Sequence, residues 1–161
     1  MKKQINYPRF IPRLFASTID LFLLSIVSSP IMNIISKYLF IYIFSDIIRT
    51  NNIDPQNLSS ITQIATSNKG LIYTAIILGL NVIMLAGYFI GFWIYFSATP
   101  GKLIMSTKIV DANTLAKPSN IQYIKRFFGY FLFFIGVWFM LFSKQRQALH
   151  DKISGTLVIK K

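Results

Sequence analysis

From Leu71 to Ala98 the chain runs without a single formal charge. About 20 predominantly apolar residues cross the hydrocarbon core of a bilayer, and a backbone in lipid must satisfy its own hydrogen bonds. A helical span over residues 71–98 therefore constrains everything else. A second apolar run, Leu14 to Phe44, is interrupted by Asp20, Pro30 and Lys37. A span over residues 12–35 fits it, with Pro12 in the first turn, where a missing N–H costs nothing. Residues 36–70 read as an extension of that helix followed by an outer loop rich in Asn, Ser, Thr and Gln. The basic start (Lys2, Lys3, Arg9, Arg13) suits a signal peptide, but the apolar run is too long and holds Asp20, which predicts an uncleaved span.

Composition agrees with lipid as the solvent: 53% of residues are hydrophobic and 14% charged, and the mean hydropathy is +0.52. The net charge of +12 is dispersed along the flanks of the apolar runs. Nucleic acid, which needs a dense basic patch, is not an expected partner; Lys and Arg gather instead on cytoplasmic flanks. With no Cys, one His and no Glu, neither a disulfide nor a metal cluster is expected, and no cofactor is implied. Richness in Ile, Lys, Asn, Phe and Tyr suits an AT-rich bacterial genome.

Residues 99–120, "TPGKLIMSTKIVDANTLAKPSN", open on the turn signal Pro100-Gly101. Leu103, Met105, Thr107 and Ile109 then alternate with other residues and predict a strand over 103–110. A third apolar segment covers residues 121–143, its apolar core running from Phe127 to Phe142. It is either a re-entrant hairpin bent near Gly136 or a third span. The basic tail, residues 144–161, ends in a strand-like piece from Thr156 to Ile159. The basic residues before the first span, in 99–126 and in the tail all favour the cytoplasm. Three crossings would put the tail outside; two crossings and a hairpin keep it inside and let the two strand pieces pair, which is the preferred arrangement. The expected fold class is an all-α integral membrane protein with two full transmembrane helices, the third apolar segment, and a small cytoplasmic β-strand pair. The expected place is the bacterial inner (plasma) membrane, multi-pass, with the N-terminus cytoplasmic.

The first span carries opposite charges. Arg13, Ala16, Ser17 and Asp20 are spaced i, i+3, i+4, i+7 and share a helix face. Arg13 sits at the boundary, where it can snorkel. Asp20 lies about 10 Å deeper, at 1.5 Å per residue, and is too short to do so. It must face protein or water, since lipid exposure of a charge costs about 2.5 kcal/mol or more. In the second span Asn81, Tyr88 and Tyr95 recur every seven residues and make a polar stripe, with Tyr88 at the depth of Asp20. Gly87 and Gly91 form a GxxxG pair that lets another helix approach. A polar seam between the spans, centred on Asp20, is the expectation; the bland alternative is that the tyrosines mark the interface belt.

Three stretches, "PRFIPRLFASTIDLFLL", "TPGKLIMSTKIVDANTLAKPS" and "QALHDKISGTLVI", are similar in order to the signatures of the RDD family of bacterial membrane proteins. That family is named for an Arg and an Asp in its first span and a second Asp near the C-terminus. The resemblance places these on Arg13, Asp20 and Asp151, with His150, Gly155 and Thr156 around the last. It implies a few transmembrane segments and a transport role, with ion or proton exchange proposed for some relatives.

Two functions follow. The first is an ion- or proton-coupled transporter acting as a homo-oligomer in the lipid bilayer, with a small ion or solute at Asp20 and a cytoplasmic-side relay at Arg13 and Asp151. The alternative is a non-catalytic scaffold or partner subunit in which Arg13, Asp20 and Asp151 are a structural charge network. Thr99, Gly101, Lys102 and His150 are supporting polar or turn positions in either case. An enzyme is not expected, because the neighbours His150 and Asp151 should point apart and Ser154 has no oxyanion-hole signature. Asp151 is expected to cap a turn or to pair with Arg13, Arg146 or Lys102.

Overall fold

The computed structural model describes residues 6–49, 58–132 and 147–160. Its elements are α1 (Phe10–Ile43), α2 (Ser45–Arg49), α3 (Leu58–Thr66), α4 (Asn68–Phe96), α5 (Pro100–Ile104), β1 (Thr107–Asp111), α6 (Asn120–Gly129), a 3-10 turn (Tyr130–Leu132), α7 (Leu149–Ser154) and β2 (Thr156–Lys160). The helices α1 and α4 are long and apolar enough to cross a membrane. The chain divides into two compact units: residues 1–24 with 86–161, and residues 25–85.

In the first unit, the strands pair antiparallel with Thr107 opposite Lys160 and Asp111 opposite Thr156. The alternation that predicts a strand from Leu103 is overruled as far as Ser106, since β1 begins at Thr107. Pro100 there occupies the first turn of a short helix, a position that suits its fixed φ. Asp111 ends β1 by accepting from the backbone of Asn113 and Thr114, an Asx-type turn. Its carboxyl is held down at about 2, first by the Thr114 N–H, then by the Gln122 side chain and the Asn113 N–H. Ser119 and Gln122 close a capping box at the head of α6, and Gly155 stops α7 in the left-handed region with φ +62°. Pairing of β2 with β1 brings the tail to the segment that follows α4. The main-chain N–H of Lys160 also donates to the carbonyl of Asn6, so the head of the chain joins the same cap.

In the second unit, Phe44 is buried against Phe40 and Tyr73, with ring centroids 4.7 and 6.1 Å away. Lys69 and Asp46 form an exposed ion pair at 2.7 Å. The extension expected beyond residue 35 is helical as far as Ile43: α1 has 34 residues and continues through Pro30, about 51 Å at helical rise, as membrane helices tolerate proline where neighbouring groups re-satisfy the backbone. One sequence expectation is corrected here. The stretch taken as an outer loop contains α3, and α4 begins at Asn68. Polarity marked that stretch as loop, but Ser, Thr and Gln form helices when apolar residues recur at helical spacing, as Leu58, Ile61 and Ile64 do. Lys2, Lys3, Asp54, Gly136, Lys144 and Arg146, with residues 133–143 of the third apolar segment, lie outside the described residues.

Candidate functional site: two buried carboxylates

Asp20 and Asp151 are both fully buried in the first unit. Burying a carboxylate is costly unless donors surround it, and each has its own set.

Asp20 is reached from α4 and from the turn that follows it. The Thr99 hydroxyl donates a short hydrogen bond to Oδ2, and the main-chain N–H of Gly101 donates to Oδ1 at 2.7 Å. The Tyr88 hydroxyl stands 3.4 Å from Oδ1. Lys102 Nζ lies 3.8 Å from Oδ2 and donates to the Thr99 hydroxyl at 3.3 Å. This close approach depends on Gly101. A Cβ there would collide with the carbonyl oxygen of Ala16 and come within 2.9 Å of Asp20 Oδ1, so the turn lies directly on the α1 backbone beside the buried Ala16.

Asp151 is held by arginines from two other elements. Arg13 Nη2 of α1 is 2.8 Å from Oδ2, and Arg126 Nη1 of α6 is 2.5 Å from Oδ1. The Ala148 N–H donates to Oδ2 at 3.1 Å, so Asp151 also ties down the first turn of α7. Arg126 Nη1 donates to the Thr156 hydroxyl at 2.6 Å. Its guanidinium carbon lies 5.5 Å from the centre of the buried Trp93 ring, a cation–π arrangement. Burial alone would push the Asp151 carboxyl up, but Arg126 and then Arg13 outweigh it and hold the group well below the usual carboxylate range. Burial drives His150 down to about 3 despite the neighbouring carboxylate, leaving a neutral imidazole. That ring stacks on Tyr130 at 4.2 Å. Gly129 permits the packing, since a Cβ there would stand 2.8 Å from His150 Cα.

The expected seam is therefore present in part. Tyr88 joins it. Asn81 instead donates back to the carbonyl of Ile77 and is exposed, and Tyr95 is 80% exposed, so of the stripe only Tyr88 reaches the carboxylate. Arg13, Asp20 and Asp151 do not meet at one point; Arg13 goes to Asp151, and Asp20 goes to Thr99, Gly101 and Lys102. His150 and Asp151 do not point apart as expected: His150 Nε2 is 3.4 Å from Asp151 Oδ1, because Asp151 folds back to cap its own helix. A Cβ on Gly87 or Gly91 would meet nothing within 4 Å, so no helix packs on that pair among the described residues. Those glycines line a groove with Tyr88, Phe92, Tyr95 and Phe96. No group of three or more metal-ligating side chains occurs among the described residues.

Arg126 was missed by reading the sequence, where it passed as one of the basic flanks. The signal was available: Tyr123, Arg126, Phe127 and Tyr130 repeat the i, i+3, i+4, i+7 spacing of Arg13 to Asp20, and Tyr123, Arg126 and Phe127 are buried.

The chain is 39% identical over 172 residues to an uncharacterized protein of Rickettsia prowazekii (strain Madrid E), with 99% of each chain covered. No solved structure matches it. The model of the RDD family, a family of bacterial membrane proteins, matches residues 7–155, a span that contains Arg13, Asp20 and Asp151, and the chain belongs to that family.

Proposed function

We propose that this protein is a non-catalytic, multi-pass component of the bacterial inner membrane, its N-terminus and tail cytoplasmic, in which Arg13, Asp20 and Asp151 lock the first membrane helix to a basic cap. One observation carries this reading: both carboxylates are fully buried and already engaged by other elements of the chain, Asp20 by hydrogen-bond donors and Asp151 by two arginines. An oxygen that accepts a backbone N–H, as Asp20 Oδ1 does, is poorly disposed to take a cation. The Asp151 site holds two guanidinium groups against one carboxylate, which repels cations further. His150 is stacked and kept neutral, so it is read as packing and not as an acid or base.

A second reading, an oligomeric ion- or proton-coupled transporter, draws on Tyr88. Its ring lines the groove on α4 while its hydroxyl stands at Asp20, so the groove is one side chain from an intramembrane carboxylate, the type of residue that serves as an ion or proton site. Asp20→Asn in proteoliposomes separates the two. A lock predicts a lower melting temperature and no proton or sodium flux in the parent protein to be lost. Flux in the parent that Asp20→Asn abolishes without loss of thermal stability would overturn the lock in favour of transport.

A further inference from the structure

The helix α6 is inside-out. It buries the charged Arg126 together with Tyr123 and Phe127, turned to the cap, and exposes most of its other apolar residues. Ile121 is 65% exposed, Phe128 64% and Phe131 63%, with Ile124 and Leu132 nearly half exposed. These positions follow helical spacing from 121 through 132 and make one continuous face. Lys125 is also exposed and sits on that face, between Ile121 and Phe128.

Two observations decide what covers the face. The first is the course of the helix. The Tyr123 hydroxyl donates to Ser97 just beyond the end of α4, and Tyr130 stacks on Trp93 and Phe89. Seven residues of α6 and the 3-10 turn thus descend about 10 Å along the last turns of α4. At the same end of α4, Tyr95 and Phe96 are 80% and 58% exposed, so apolar rings are unburied on both helices there. The second is charge. A lysine inside an apolar face buries its stem and lifts its ammonium to the phosphate level, and the chain's net charge of +12 favours an anionic surface.

We propose that Ile121, Ile124, Phe128, Phe131 and Leu132 dock on the acyl–headgroup boundary of the bilayer, with Lys125 held at the phosphates of anionic lipid. The helix α6 is then an interfacial wedge: one side carries Arg126 to Asp151, and the other is seated in lipid. This holds whether the carboxylates lock or transport.

The natural absence of cysteine makes the test direct. Single cysteines at Ile124, at Phe131 and, as an aqueous reference, at the exposed Lys117 are labelled with bimane in the full chain. The protein is reconstituted in nanodiscs of equal parts phosphatidylglycerol and phosphatidylcholine. Shallow nitroxide lipid should quench the probes at 124 and 131 far more than aqueous iodide does, with the reverse at 117. Nitroxide-labelled phosphatidylglycerol should outcompete labelled phosphatidylcholine at 124 by about fivefold, and Lys125→Gln should remove that preference. Iodide quenching at 124 and 131 matching that at 117 would overturn the proposal, as would shielding from both quenchers, which would mean that protein, a second copy included, covers the face. Equal quenching by the two lipids would overturn the role given to Lys125.

Discussion

The two units of the chain hold themselves together by opposite means. The unit of residues 25–85 has a ring cluster at Phe40, Phe44 and Tyr73 and a solvent-exposed ion pair at Lys69 and Asp46. The unit with the cap buries Asp20, Lys102, Arg126 and Asp151 and fastens four elements through them. In lipid, apolar side chains gain little by leaving the solvent for one another, so helix association rests on close packing and polar contacts. A charge network can hold α1 to α5, α6 and α7 there because each partner is desolvated and separation would strand it. The exposed pair has water as an equal alternative.

Breaking the network tests this contrast most severely. Asp151→Ala leaves two arginines facing each other across an empty site, and removing one partner of a buried pair costs about 3–5 kcal/mol. The melting temperature in detergent should fall steeply, and retention of parental stability would break the comparison. Next in size is the glycine pair of variants. Gly101→Ala forces the turn off the Ala16 carbonyl, a strain of about 1–3 kcal/mol or more. Gly87→Ala, which adds a methyl to open space, should leave the monomer's melting temperature unchanged. Equal effects would mean that the close approach at Gly101 does not matter.

A smaller effect is expected on acidification. The folded-state pKa of His150 is lowered to about 3, so the unfolded chain binds a proton that the native state refuses. Stability from keeping this ring neutral is therefore whole above the unfolded value of about 6.5 and is lost as pH falls toward 3. The depressed Asp151 carboxyl acts in the same direction, but only below the ordinary carboxylate range. His150→Phe should flatten the decline in melting temperature between pH 6.5 and 4.5; an unchanged slope would remove His150 from the account. Least of all, Lys69→Ala should leave the melting temperature unmoved, and a clear drop would show that the second unit also depends on charge.

How much of this was legible in the sequence follows from the range of each interaction. The spans, the β1–β2 pieces, the turn at Pro100-Gly101 and the shared face of Arg13 and Asp20 are local patterns. A 3.6- or 2-residue period and the length needed to cross a bilayer are written in consecutive residues. The polar residues of α3 read as loop by composition, whereas Leu58, Ile61 and Ile64 recur at helical spacing, so the two signals disagree there.

What the sequence by itself determined, then, is that Asp20 could not face lipid, since a short charged side chain has no other recourse at depth, and that Asp151 in the basic tail needed a cap or a cationic partner. Only the tertiary structure decided who receives them. Asp20 meets Thr99 from 79 residues away in the chain, and Asp151 meets arginines from α1 and α6. Those choices rest on how closely backbones approach, at Gly101 over Ala16 and at Gly129 over His150. A missing Cβ permits such contacts, but nothing in its neighbours along the chain says which distant backbone will come to fill the space.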